Sequence, residues 1–156
     1  MQCHKAKIDG NLLKRGFWIY LYVIKQGQKE IFYVGRTGDS SSANAGSPFE
    51  RLTGHLNRKF TAKSAAMLRQ LTKYGFNVEK CTFELFAFGP IHPEQKDFER
   101  HKVYRDILAS LEKAIAAELG KRGYTVVGTH SSKVECSPEL LSLVLEHEEF
   151  IWRSLG

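Results

Sequence analysis

Tyr20 and Tyr33 each stand in an aromatic, β-branched run, and Arg51 and His55 follow four residues apart. A carboxylate would have to reach them from far down the chain, where Glu99, Glu112 and Glu118 are the candidates. These residue types suit hydrolysis of a phosphodiester. Such a reaction needs a group to activate water, a cation to stabilise charge on the phosphate, and often a metal held by a carboxylate. A tyrosine serves as base when nearby positive charge acidifies its phenol. Arginine partners phosphate because its fork donates two hydrogen bonds. A histidine one helical turn away can polarise the nucleophile or assist a leaving oxygen. Each type also has an ordinary use: strand tyrosines are usually core residues, and Arg and His at helical spacing usually form a solvated face. The combination is what points to chemistry.

The elements that must position these residues follow from local pattern. Phe17 to Ile24 is almost wholly aromatic or β-branched, hence a strand covered on both faces. Ile31 to Gly35 is a second strand, joined to it by a turn in which Gly27 can take positive φ. With Gln26-Gly27 at the tip, Tyr20 and Tyr33 face each other across the hairpin. Residues 36–47 have loop composition. Ser47-Pro48-Phe49-Glu50 opens a helix, with Ser47 as cap. Its buried side is expected to be Phe49, Leu52, Leu56 and Phe60, with Arg51, His55 and Arg58 together on another side.

A second helix is expected from about Lys63 to Tyr74, stopped by Gly75. Val78 to Phe88 reads as a third strand, broken by Gly89-Pro90-Ile91-His92-Pro93. A long helix runs from about Gln95 to Leu119, ending at Gly120, with an apolar stripe of Tyr104, Ile107, Leu108, Leu111, Ala114 and Ile115. Tyr124 to Val127 is a short strand. Ser137-Pro138-Glu139 opens a last helix to about Ser154, with Leu141, Val144, Leu145 and Trp152 as candidate buried positions. On the long helix, Glu112 falls at the margin of the stripe beside Leu108 and Ile115. Glu118 falls nearer its middle and could satisfy a buried donor instead. Geometry leaves both open.

The chain has 156 residues, which fits a single domain, and 42% hydrophobic with 12% aromatic content is that of a folded protein. No apolar run approaches the roughly 20 residues of a membrane span. No secretory signal is visible at the N-terminus. Cys3, Cys81 and Cys136 form no CxxC pair, so an intracellular, cytoplasmic setting is expected and cysteine metal ligation is not. A net charge of +6 favours an anionic partner, nucleic acid first. Residues 1–15 are polar and basic, and read as a short arm or part of that partner-facing surface.

Taken in order, these residues resemble the GIY-YIG nuclease family. The first family motif corresponds to Trp18-Ile19-Tyr20, and the second to Tyr33-Val34-Gly35, followed by Arg36 and Thr37. The family's Arg and His on the next helix match Arg51 and His55, and Leu111-Glu112-Lys113-Ala114-Ile115 resembles the segment that carries its metal-binding Glu. The resemblance covers residues 16–128, leaving 137–154 as a C-terminal helical extension.

The resemblance implies an α/β (α+β) fold with a small three-stranded antiparallel sheet flanked by helices. It implies DNA strand cleavage with one divalent cation, Mg²⁺ or Mn²⁺, on Glu112. Tyr20 would then be the base, Tyr33 would position water or phosphate, Arg51 would stabilise charge, and His55 would assist proton transfer. Arg36, Arg58, Lys59 and Lys63 are candidate nucleic-acid contacts, and a homodimer would serve to cut both strands. This chain departs from the family pattern in having Trp18 in place of glycine, a long loop before Arg51, and no Asn after Asn77, with Thr129 or His130 nearest the place where an Asn is usual. The alternative is a non-catalytic nucleic-acid-binding domain that keeps the fold. An unrelated enzyme for a small anionic substrate is a third reading, for which no Gly-rich phosphate loop of the P-loop type is present.

Overall fold

The computed structural model describes residues 1–57 and 66–155, with side chains described through residue 147. Its centre is a hairpin of β1 (Phe17–Gln26) and β2 (Lys29–Arg36). Every residue from Phe17 to Ile24 is buried, as a run with two apolar faces requires. Alternation sends Phe17, Ile19, Leu21 and Val23 to one side of the sheet and Tyr20, Tyr22 and Ile24 to the other, each into its own hydrophobic cluster.

The hairpin register differs from the expected one. The strands end at Gln26 and Lys29, so the tip is Gly27-Gln28, with Gly27 at φ +59° in the first central position of a two-residue turn. Moving the tip by one residue moves each cross-strand partner by two. Tyr22 therefore faces Tyr33, and Tyr20 faces Gly35. A shift of two preserves which face each side chain occupies.

The fold is α+β, but the sheet has four strands and is mixed, in the order β3-β1-β2-β4, in place of the expected three antiparallel strands. The added member is β4 (Val126–Val127), parallel to β2 at Phe32 and Tyr33. The third strand, β3 (Thr82–His92), starts later than expected because Val78–Lys80 forms a 3-10 turn. It also runs through Gly89 and Pro90 where a break was expected. Pro90 is tolerated because β3 is an edge strand, and the register shift between Phe17 and Ile19 absorbs the extra residues.

α1 (Pro48–Leu56) and α2 (Ala66–Lys73) cover one face. α1 begins with a full capping box: Ser47 Oγ accepts from Glu50 N, and Glu50 Oε2 accepts from Ser47 N. α2 ends as expected at Gly75, where Phe76 N bonds to Leu71 O and Gly75 N to Thr72 O. The expected start of α2 at Lys63 lies outside the described residues.

α3 (Phe98–Lys121) covers the other face through Leu108, Leu111, Ile115 and Leu119. It passes through Gly120, where it was expected to end, and stops at Gly123, whose φ of +89° lets Tyr124 N reach Leu119 O. α4 (Pro138–Leu155) adds Val144, Leu140 and Leu141 to the α3 cluster, while Trp152 lies outside the residues whose side chains are described. Among the described residues no helix is long and apolar enough to cross a membrane.

Two polar clamps tie these parts together. Thr37 is fully buried; its Oγ1 donates to Gly16 O at 2.6 Å and accepts from Trp18 N at 2.8 Å. Arg15 donates to Glu50 at 2.8 Å and to Glu94 at 2.9 Å, so this basic residue braces the fold rather than forming part of a free arm. Thr37→Val keeps the shape but leaves the Trp18 N–H and the Gly16 carbonyl without that partner. The expected loss is about 1–3 kcal/mol, measured by chemical denaturation.

Candidate active site

The site is built on a missing side chain. Tyr20 lies across Gly35 of the neighbouring strand, and a Cβ at Gly35 would stand 2.6 Å from the Tyr20 Oη and closer still to its ring. With no Cβ in the way, the phenol lies over β2 and ends 2.9 Å from His55 Nε2. The His55 ring is enclosed by tyrosines, with centroids 5.1 Å from Tyr33, 6.0 Å from Tyr20 and 6.2 Å from Tyr22. His55 thus meets Tyr20 and Tyr33, and its side of α1 is part-buried rather than an ordinary solvated face. Leu52 and Leu56 pack α1 onto the Tyr20 face, and His55, next to them around the helix, is carried inward.

Burial dominates the electrostatics. Desolvation, aided by the Arg51 charge, lowers the His55 pKa to about 4, so the imidazole is neutral at pH 7. Desolvation raises Tyr33 to about 12, with the Glu112 charge adding to it and Arg51 and Arg36 opposing. Tyr20 is held well above the usual phenol range by desolvation and by Tyr33, against the pull of Arg51. A tyrosine base needs positive charge to acidify its phenol. Here the cation is close enough to act, but burial outweighs it.

Glu112 reaches the same neighbourhood from α3 on the opposite face. It is 8% exposed and its Oε2 forms an ion pair with Arg36 Nη1. Desolvation raises its pKa, with Arg36 and Arg51 working against that rise. Glu118, the other candidate, pairs with Lys121 at 3.3 Å and Arg122 at 3.5 Å near the helix end, and Glu99 pairs with Lys102 at 2.7 Å. Arg51 forms an ion pair with Asp39 in the loop after β2. Its charge still acts on Tyr20, Tyr33, His55 and Glu112, which places all five in one electrostatic group. Arg58, Lys59 and Lys63 lie outside the described residues.

Tyr22 and Asp39 were not singled out from sequence. Tyr22 has a buried hydroxyl with no hydrogen-bond partner among the described residues. Its alternation with Tyr20 was the available signal. Asp39 gave none, since a loop carboxylate is chemically ordinary. His130 donates from Nε2 to Val34 O at 3.1 Å, on the β2 edge beyond the short β4 pairing. Trp18, where the resembling family has glycine, is buried with its indole N–H on Lys14 O at 3.0 Å, and its ring packs on Gly89. It lies at the far end of β1's buried face, and the space it needs comes from Gly89.

Among the described residues no group of three or more His, Cys, Asp or Glu side chains is arranged to hold a metal. Glu112 alone fits one kind of ion. Mg²⁺ keeps much of its water shell and is commonly held by one or two carboxylates together with substrate phosphate. Comparison of the chain with protein-family models, with curated proteins and with solved structures gives no match.

Two outcomes follow from this packing. Gly35→Ala forces the Tyr20 ring aside and should cost about 1–3 kcal/mol in denaturation, despite adding a single methyl. For His55, the unfolded chain takes up its proton near the ordinary pKa of 6.5, whereas the folded one does so only near 4. Stability contributed by neutral His55 is therefore present above pH 6.5 and lost as pH falls towards 4. Urea denaturation across that window should show a shallower pH slope in His55→Gln than in wild type; equal slopes would mean that His55 is solvated.

Proposed function

We propose that this chain is a metal-dependent endonuclease of the GIY-YIG kind, hydrolysing phosphodiester bonds in DNA. The observation that carries the reading is the 2.9 Å Tyr20–His55 hydrogen bond, enclosed by Tyr33 and within the fields of Arg51 and Glu112. A high-pKa phenol is a poor base alone, but it relays a proton well. In the tautomer with its proton on Nδ1, neutral His55 accepts from the Tyr20 hydroxyl. Tyr20 Oη then takes a proton from an attacking water as it passes its own to His55. Tyr33 orients that water or the phosphate. Arg51 turns from Asp39 to the phosphate and stabilises the charge that builds there. Glu112 would hold Mg²⁺ or Mn²⁺, which when bound supplies charge stabilisation at the phosphate and leaving oxygen. The net charge of +6 suits a polyanionic partner, and a homodimer would bring two such sites to two strands.

A second reading has its own observation. Arg36 already neutralises Glu112, as in a domain that has kept the fold and binds nucleic acid without cutting it.

Nicking of supercoiled plasmid in Mg²⁺ separates the two. On the nuclease reading, Glu112→Ala and Tyr20→Phe each lose roughly 10²–10⁴-fold in rate, assayed at a temperature where circular dichroism shows both variants folded. If wild type nicks no faster than Glu112→Ala with either metal, the chain is not this enzyme.

A further inference from the structure

Arg36 also lines a polar cleft of about 440 Å³, together with Arg105, Asp106, Ser131, Ser132 and Lys133, with Ala109 beside them. We propose that this cleft seats a backbone phosphate of the bound DNA, a few nucleotides from the one being cleaved. The inference rests on the nucleic-acid reading of the site and adds to it a second point of contact.

Three observations carry it. First, the cleft contains three cations, Arg36, Arg105 and Lys133, against one carboxylate of its own, Asp106. Asp106 is already engaged, because Arg105 holds its Oδ1 through both Nε and Nη2 at 2.9 Å. That pairing also fixes Arg105 on the wall, with its remaining N–H groups free of Asp106. Lys133 is exposed. With Arg36 paired to Glu112 and Arg105 to Asp106, Lys133 leaves one positive charge in surplus, which suits the single negative charge of a diester phosphate.

Second, Arg36 belongs to both places. Its Nη1 holds Glu112, and its Nε is buried with no hydrogen-bond partner among the described residues. An arginine carries five N–H donors, so it can serve Glu112 and still offer a donor at the cleft wall.

Third, the spacing suits a continuous strand. Arg105, Ala109 and Glu112 stand at i, i+4 and i+7 on α3 and therefore lie along one stripe. Seven residues of helix span about 10 Å, close to three nucleotides at the roughly 3.4 Å axial repeat of one DNA strand. A strand with its scissile phosphate near Glu112 and Arg51 would run on over Arg36 into the cleft. Ser132 does not share in the contact, because its hydroxyl is occupied by Val134 within its own turn, donating to O at 2.8 Å and accepting from N at 3.1 Å. Ser131 is the exposed hydroxyl there.

The test is anisotropy of a labelled DNA duplex titrated with the full chain in a metal chelator, over about 50–200 mM salt. Wild type is compared with the Arg105→Ala/Lys133→Ala double variant and with Lys133→Ala, which alters only an exposed side chain. The double variant should bind roughly tenfold more weakly, and its log–log salt slope should fall by about 0.9, the value for one lost phosphate contact. Lys133→Ala should show about half of that slope change. Plasmid nicking at saturating DNA should keep its kcat.

If the double variant matches wild type in affinity and slope while wild type binds and nicks DNA, the cleft assignment is overturned and the nuclease reading stands. If binding depends on the cleft but wild type never nicks, the cleft assignment holds and the nuclease reading fails. Failure of wild type to bind duplex at low salt overturns the cleft assignment. Titration with inorganic phosphate distinguishes the remaining source. Saturable binding lost in the double variant, with duplex affinity unchanged, would assign the cleft to a free anion and overturn it as a DNA contact.

Discussion

The close approach of the Tyr20 ring to the Gly35 backbone is the constraint from which the rest of the site follows. Two strands in register put a large side chain opposite the one residue with none. The phenol therefore lies flat over its neighbour and ends under α1, where His55 meets it. Any side chain at Gly35 would lift the ring and separate the pair. The capping box at Ser47 then fixes where α1 begins, and Leu52 and Leu56 fix its rotation, so that His55 arrives over the sheet. A hairpin register, a glycine and a helix cap together set one hydrogen bond.

Around that bond the protein stores its charges in pairs. Arg51 rests on Asp39 and Arg36 on Glu112, while the imidazole and the phenols between them are neutral at pH 7. Removing groups from water disfavours their charged forms, and here that effect exceeds the pull of both arginines on the tyrosines. The resting cluster is thus a set of neutral donors and acceptors flanked by two cations whose counter-charges are built in. A phosphate entering it must compete with Asp39 for Arg51. That competition is a barrier to weak anions and a modest one to a polyanion that binds at several points.

Much of this arrangement was legible in the residues themselves. The aromatic run of β1, the Ser47 cap and the Gly75 stop are local signals, and each formed as its chemistry demands. Which of Glu112 and Glu118 turns inward was not decided by helical spacing alone; the answer lies in Arg36, which waits at the end of β2 for one of them. The register was misplaced by one residue at the tip, because Gln26-Gly27 and Gly27-Gln28 both offer the glycine a positive φ. The inward turn of His55 followed from the family resemblance and not from helical spacing. A histidine beside a leucine stripe is as compatible with water as with a core, and only the tyrosines on the far strands decide it. The fourth strand was seen as a strand, but two residues carry no instruction about their partner.

The loop between β2 and α1 is closed at its base in a way that separates its ends from its tip. Gly38 N bonds to Ala45 O at 2.8 Å, Gly16 N to Gly46 O at 2.9 Å, and Ala45 N to Glu94 at 2.8 Å. From the other side, His101 Nε2 holds Gly38 O at 2.9 Å. Residues 39–44 are therefore an excursion that leaves and returns through a fixed gate. Lengthening such an excursion costs little, since each doubling adds only about 0.6 kcal/mol of closure entropy. Asp39, the first residue beyond that gate, meets Arg51, so the excursion can change length behind it while the hairpin and α1 keep their places.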